Sequence, residues 1–197
     1  MNFRLSSVLQ LLLMTGLAIL AAWALQRKPH SDGAKNPSPM LVQSERDFIL
    51  GMVPHHQEAV DSSKELLRVA TDSDIRRLAE GIISSQDGEI TQMKSWYSQW
   101  FSEQFVDDGR YQPMMRSLVG LAPNDAEARF VADMVGHHEH AVLMAKELQN
   151  FTQRPELLSL SGNIIRDQEA EIAQLKVWLK EKYGQAPPMV DHSMHKM

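Results

Sequence analysis

The sequence contains no cysteine. This absence excludes thiolate metal sites, disulfide bonds and lipid attachment through a cysteine, but it does not identify the redox compartment. A basic patch is also missing: 20 Lys and Arg residues stand against 25 Asp and Glu, which gives a net charge of −5. Because an acidic protein without a basic patch binds nucleic acid poorly, we expect no nucleic-acid partner.

The motifs of familiar catalytic sites are absent as well. The chain has no Glu-x-x-His pair, which di-iron four-helix proteins carry on one helix, and no His-Glu-x-x-His zinc motif. It also has no nucleophile elbow and no phosphate-binding loop. We therefore expect a protein that is not an enzyme, and a di-metal oxidoreductase is the weakest alternative.

An internal repeat is the strongest feature that the sequence does contain. Residues 48–60 (FILGMVPHHQEAV) align with 130–142 (FVADMVGHHEHAV), and residues 82–96 align with 164–178 at the same offset of 82 residues. A constant offset over about fifty residues indicates a duplicated helix pair. Because two helix pairs supply the four helices that enclose one core, the sequence predicts an all-α, antiparallel four-helix bundle.

Hydrophobic periodicity and capping signals locate the helices. Ser44 is a good N-cap for the first helix, and Asn124 with Glu127 forms a capping-box pattern at the start of the third. Gly184 is expected to end the fourth. The predicted helices cover about residues 44–70, 72–103, 124–150 and 155–183.

The chain outside the bundle is of different character. Residues 8–25 are apolar except for Gln10 and Thr15, which is typical of a signal peptide or a membrane anchor. We expect residues 5–25, as an N-terminal apolar helix, to place the rest of the chain outside the cytoplasm. The predicted regions are a signal peptide or anchor at 1–28, a linker at 29–43, the bundle at 44–184 with copies at 44–104 and 124–183, and a Met- and His-rich tail at 185–197.

Each copy of the repeat carries a methionine that is followed three and four residues later by a histidine pair. These residues are Met52, His55 and His56 in the first copy, and Met134, His137 and His138 in the second. Thioether sulfur and imidazole nitrogen are the donors that soft ions such as Cu(I) prefer. Helical geometry turns His55 and His137 inward and places His56 and His138 nearer the flank. Glu89 and Glu171 project from the partner helices towards this polar patch.

Further donors are not duplicated. Met144 aligns with Ser62, and Met93 aligns with Leu175, so each copy keeps one additional methionine on a different helix. We therefore predict two sites with unequal ligand sets. The tail has a composition typical of metal capture. Its donors include His192, Met194 and His195.

A structural role for the same residues is the main alternative. A histidine on an apolar stripe is commonly a hydrogen-bonded core residue, and methionine commonly fills gaps in a core. A buried layer in which His55 pairs with a glutamate of another helix would fix the register of the bundle without metal. The protein would then be a structural or interaction module of the cell envelope.

The combined motif also resembles a known family. The two Met-x-x-His-His-x-x-Ala-Val segments, each followed by Gln-x-x-Glu-Ile-x-x-Met/Leu-x-x-Trp, resemble the bacterial domain-of-unknown-function family 305 over residues 44–183. That family is similar to the ferritin-like four-helix proteins. Its members are typically exported, and some resemble periplasmic copper-binding proteins involved in copper resistance.

The resemblance implies which side chains take ligand-like positions. The sequence departs from the family at Ser62 and Leu175, where a methionine is often seen, and this departure predicts unequal affinity in the two halves. The implied ligands are Met52, His55, His56, Met134, His137, His138 and Met144, with Met93 on the second helix.

Together these observations predict an exported protein that binds Cu(I), with Ag(I) and Cu(II) as further candidates. It would buffer or deliver copper outside the cytoplasm. Its partners would be the metal ion, the membrane through the N-terminal helix, and other copper-handling proteins of the envelope.

Overall fold

The computed structural model of the protein describes residues 42–186. The predicted signal peptide or anchor, most of the predicted linker and the tail beyond residue 186 lie outside the described residues. The predicted tail donors His192, Met194 and His195 are among the residues outside this range. Within residues 42–186, none of the helices is long and apolar enough to cross a membrane.

Four helices make up the described part of the chain, which contains no strand. They are α1 (Glu45–Leu66), α2 (Ser73–Phe101), α3 (Pro123–Gln149) and α4 (Pro155–Tyr183). Helix α1 packs against α2, α3 packs against α4, and the two hairpins meet where α1 packs against α3. The prediction of an all-α four-helix fold is confirmed, and the helices begin and end within four residues of their predicted limits.

The caps predicted at the start of α1 and at the end of α4 are observed, whereas the cap predicted at the start of α3 is not. The Ser44 Oγ accepts a hydrogen bond from the Asp47 backbone N at 3.0 Å, and Gly184 takes the left-handed conformation (φ 63°) after α4. The capping box predicted at Asn124 is wrong. Helix α3 begins one residue earlier, at Pro123, and has no side-chain cap. Proline suits this first position because it has no N–H to satisfy.

Glu127 has a different role from the predicted cap. Its Oε1 accepts hydrogen bonds from the backbone N of Thr71 (2.6 Å) and of Asp72 (2.9 Å), in the loop between α1 and α2. Glu45 lies 82 residues earlier and makes the equivalent connection, with 2.6 Å to the Thr152 Oγ1 and 2.7 Å to the Arg154 Nε in the loop between α3 and α4. Each hairpin therefore binds the interhelical loop of the other hairpin through hydrogen bonds to a glutamate.

The apolar core consists of two clusters. Cluster A contains residues 48–53 of α1, Met93 of α2 and Met144 and Leu148 of α3, among others. Cluster B contains Ala59 and Leu66 of α1, Phe130 and Met134 of α3 and Leu175 of α4, among others. Along α1 the order is cluster A, the histidine pair, then Ala59 and Leu66 of cluster B, and along α3 the order is reversed. The reversal shows that α1 and α3 are antiparallel, with the histidines between the two clusters.

The two loop contacts give a stability prediction. Glu127 is 3% exposed, and we expect Glu127→Ala to lower the free energy of unfolding by about 1–2 kcal/mol, because two backbone N–H groups lose their acceptor. Glu45→Ala is the matched control and should cost less, because no backbone N–H loses its acceptor and water can replace the carboxylate at the half-exposed guanidinium of Arg154. Urea denaturation of both variants measures the difference. An equal or larger loss in Glu45→Ala would contradict this account.

Candidate metal centre

The histidine pairs of α1 and α3 meet in the middle of the bundle. The ring centroids of His55 and His137 are 3.7 Å apart, and the rings are tilted by 36°. The ring of His140 lies 5.2 Å from that of His55. All four paired histidines are 0% exposed. His56 and His138, which are predicted nearer the flank, are covered by α2 and α4, where they contact Glu89 and Glu171.

Two histidine–glutamate pairs are related by the repeat. The His56 Nε2 lies 2.9 Å from the Glu89 Oε2 of α2, and the His138 Nε2 lies 2.6 Å from the Glu171 Oε2 of α4. The structure thus brings both predicted glutamates to the histidines. The partner in each pair is the second histidine of the motif, whereas the sequence favoured His55.

Several buried imidazole nitrogens have no hydrogen-bond partner among the described residues. They are both ring nitrogens of His55, His56 and His137 and the Nδ1 atom of His138. Buried polar atoms in proteins are almost always bonded, so a group of unbonded nitrogens in one place indicates a site for a ligand. A metal-ligating histidine usually donates its other N–H to a carboxylate, as His56 and His138 can do with their Nε2 atoms.

The electrostatics favour the neutral form of the central imidazoles. Burial lowers the pKa of His55 well below its ordinary value, and the neighbouring His137 and His56 lower it further. Burial also lowers the pKa of His137 to about 4, although the nearby Glu58 opposes the shift. Because a metal binds the unprotonated nitrogen, both rings are in the binding form at neutral pH.

Glu58 is a functional residue that the sequence did not identify. Its carboxylate lies 3.4 Å from the His137 Nε2 and accepts hydrogen bonds from the Tyr111 hydroxyl and from the backbone N of Met114 (2.9 Å) and Met115 (3.0 Å). Burial raises its pKa, but the hydrogen bonds from His137, Tyr111 and the two backbone groups outweigh burial and bring the pKa to about 2. Glu58 is therefore ionised and attaches the α2–α3 connection to the histidines.

An open cleft lies beside this part of the centre. It has a volume of about 580 Å³ and runs between α1 and the connection at residues 105–117. Glu58 and Tyr111 are part of its lining, and the Tyr111 ring contacts His55 edge-on at 5.5 Å between centroids. The other carboxylates in its lining are those of Asp61, Glu65 and Asp107.

The methionines are distributed unequally. Met52, Met93 and Met144 are all buried in cluster A, whereas Met134 lies in cluster B. Each copy of the repeat has one additional methionine, Met93 in the first and Met144 in the second. Because α1 and α3 are antiparallel, Met144 of the second copy lies on the same side of the histidines as Met52 of the first.

Among the described residues, no three His, Asp or Glu side chains are grouped closely enough to hold an ion. The predicted ligand set, which includes methionine sulfur, stays a prediction.

Comparisons with known proteins identify relatives of the same fold. The model of a family described as "Domain of unknown function (DUF305)" matches residues 45–179 and 127–197. The structure of CopM in the Cu(I)-bound form is 37% identical with a TM-score of 0.66, and the match covers 72% of this chain and 99% of that chain. CopM in an Ag-bound form is also 37% identical with a TM-score of 0.64, covering 72% and 98%. A Cu(II)-bound form matches as well.

Two further relatives come from other organisms. A DUF305 protein of Streptomyces coelicolor, named as a candidate secreted protein, is 25% identical with a TM-score of 0.66, and the match covers 75% of this chain and 98% of that chain. The uncharacterized protein L153 of Acanthamoeba polyphaga mimivirus is 39% identical over 51 residues, or 26% of this chain. This chain matches 34%, about a third, of that relative's length.

Glu58 generates a prediction about acid stability. Its folded-state pKa of about 2 lies below the ordinary 4.5, so ionised Glu58 stabilises the fold above pH 4.5 and this contribution is lost as the pH falls towards 2. We expect Glu58→Gln to lower the free energy of unfolding by a constant amount between pH 7 and 5.5, on the order of 3 kcal/mol at most. Below pH 4.5 the difference from the unmodified protein should shrink.

Urea denaturation at a series of pH values measures this difference. Glu80→Gln, a change of the same charge at an exposed position of α2, is the control and should alter stability little at any pH. A Glu58→Gln difference that stays constant from pH 7 to pH 3 would show that the carboxylate charge does not stabilise the fold.

Proposed function

The chain belongs to the DUF305 family, and from that membership and the geometry of its centre we propose that it binds Cu(I), and Ag(I) as an analogue, through methionine and histidine. The observation that carries the proposal is the combination of buried, unbonded imidazole nitrogens with three buried methionines on one side of them. Sulfur and neutral nitrogen donors select soft ions. The relative CopM has been solved with Cu(I), Cu(II) and Ag.

Several residues would hold the ion. The Nδ1 atoms of His56 and His138 are available to a metal. Glu171 shares a hydrogen bond with the His138 Nε2 and would fix the orientation of that ring, and Glu89 lies 2.9 Å from the His56 Nε2 in the equivalent place. His55 and His137 lie in contact between them and supply further nitrogens. Of the sulfur donors, Met52, Met93 and Met144 would serve one side of the histidine layer and Met134 the other.

The cellular role that fits this chemistry is copper buffering or delivery outside the cytoplasm. The apolar segment at residues 5–25 would export or anchor the chain, and the Streptomyces relative is named as a candidate secreted protein. The tail with His192, Met194 and His195 would collect ions and pass them to the bundle. Other copper-handling proteins of the envelope would be the partners.

A metal titration tests the proposal. The full chain is titrated with Cu(I) under reducing conditions against a chromophoric chelator, with Zn(II) in parallel. We expect Cu(I) to be taken from the chelator and Zn(II) to bind weakly, since thioether ligands favour the softer ion. Failure of Cu(I) to compete with the chelator would refute the proposal.

Methionine variants then show which side of the histidine layer binds more tightly. Met→Leu nearly conserves volume, so the fold should persist. We expect Met144→Leu to weaken Cu(I) binding by about tenfold or more, equivalent to at least 1.4 kcal/mol. Met134→Leu is the matched control from the other side, and it should change the tightest affinity by less than about threefold. Equal effects of the two variants would mean that the two sides bind alike.

A structural layer is the second candidate function, and the two observed His–Glu pairs favour it. The double variant His56→Ala/His138→Ala separates the two candidates. A purely structural layer predicts a loss of about 3–5 kcal/mol of stability, because two carboxylates lose their partners, and no effect of copper on the unmodified protein. The metal proposal predicts that Cu(I) raises the melting temperature of the unmodified protein and that the variant loses this shift.

A further inference from the structure

The Gln-x-x-Glu segments of α2 and α4 form a small polar cavity that the proposed copper function does not use. Gln86 and Glu89 lie three residues apart on one face of α2, and Gln168 and Glu171 lie equivalently on α4. All four side chains line one cavity of about 30 Å³, together with Ser85, Ile164 and Asp167. That volume suffices for one occupant the size of a water molecule or a metal ion.

Two buried amide oxygens mark this cavity as a binding site. Gln86 is 3% exposed and Gln168 is 4% exposed. The Oε1 atom of each is buried and has no hydrogen-bond partner among the described residues. An unbonded amide oxygen in a protein interior is destabilising, because it has lost its hydrogen bonds to water without replacement. Two such oxygens from equivalent positions at one cavity are explained by a shared positive ligand.

The charges around the cavity also favour a cation. Within residues 42–186, the basic groups that form ion pairs with Glu89 and Glu171 are the imidazoles of His56 and His138, one for each carboxylate. The contact recorded for each imidazole is to the Oε2 atom of its glutamate. Asp167 also lines the cavity and is paired with the guanidinium of Arg166, whereas Glu89 and Glu171 have no Lys or Arg partner among the described residues. Carboxylates at one cavity repel each other unless a cation lies between them.

We propose that this cavity is a second cation site, for an oxygen-preferring divalent ion of the Ca²⁺ or Mn²⁺ kind. The carboxylates of Glu89 and Glu171 and the amide oxygens of Gln86 and Gln168 are its ligands, and water completes the coordination. Hard ions take carboxylate, amide carbonyl and water oxygens, whereas soft ions take sulfur. Ca²⁺ suits a site assembled from two helices, because it accepts six to eight oxygens in flexible geometry and Mg²⁺ requires a near-ideal octahedron.

The site differs from the copper centre in its donors and in its position. The copper centre uses nitrogen and sulfur around α1 and α3, whereas this cavity uses oxygen from α2 and α4. Glu89 and Glu171 contribute to both, since each contacts a histidine and also lines the cavity of the second site. The proposal does not require that the protein bind copper.

Binding of Mn²⁺ to the full chain, with other metals removed by chelation, tests the proposal. Loss of the electron paramagnetic resonance signal of hydrated Mn²⁺ measures binding, and competition with Ca²⁺ measures its affinity. We expect one saturable site per chain with a dissociation constant below about 1 mM, as for weak Ca²⁺ modules. Absence of saturable binding in this range, which is the outcome for a cavity that holds only water, would overturn the proposal.

Two double variants assign the ligands. Glu89→Gln/Glu171→Gln should weaken Mn²⁺ binding at least tenfold. The control Glu80→Gln/Glu169→Gln removes the same charge from exposed positions on the same helices and should leave binding unchanged. Equal weakening in both would mean that Mn²⁺ responds only to net charge, which contradicts a built site.

Gln86→Leu/Gln168→Leu separates ligation from folding. Removing two unbonded buried oxygens should stabilise the metal-depleted protein or leave it unchanged. The proposal predicts at least tenfold weaker Mn²⁺ binding in this folded variant, and unchanged binding would rule out the amide ligands. Met144→Leu should not alter Mn²⁺ binding. The proposed copper centre and the proposed cation site can therefore be refuted independently of each other.

Discussion

The contact between His55 and His137 is the constraint around which the bundle is arranged. It places imidazole rings where a four-helix protein normally has apolar side chains, and burial keeps these two rings neutral. Neutral rings avoid the cost of a buried charge but leave nitrogen atoms that need partners. Glu58 meets part of this need at His137, and Glu89 and Glu171 contact the neighbouring rings of His56 and His138. The nitrogens that remain make the centre suited to a ligand.

Duplication and antiparallel packing together decide which residues meet. The repeat makes position 52 equivalent to position 134. Because α1 and α3 pack antiparallel, however, these two positions do not lie side by side in the bundle. Residues before the histidines on one helix lie beside residues after the histidines on the other. Met144 consequently joins Met52 and Met93, and the two halves of a repeated sequence become chemically unequal.

This distinction explains what the sequence could and could not predict. Helix number and helix limits follow from periodicity and from the repeat, which are local properties of the chain. Glu127 has the spacing of a cap and yet binds a loop 55 residues away from it. Glu58 and Tyr111 were missed because the α2–α3 connection has no periodic pattern that would show where it returns to α1. Local sequence patterns do not show which distant segments of the chain come into contact, and these contacts could therefore not be predicted.

The glutamates of the Gln-x-x-Glu segments lie beside two kinds of metal-binding group, the imidazole nitrogens and the amide oxygens. Each carboxylate lies between an imidazole on one side and a cavity lined by amide oxygens on the other. A carboxylate that accepts a hydrogen bond from a ring nitrogen increases the basicity of that ring, and a cation on its other oxygen reduces the same effect. A hard ion at the α2–α4 cavity would therefore weaken the hold of His56 and His138 on a soft ion. The repeated spacing of histidine, glutamine and glutamate would thus connect the proposed copper centre physically with the proposed oxygen-lined site.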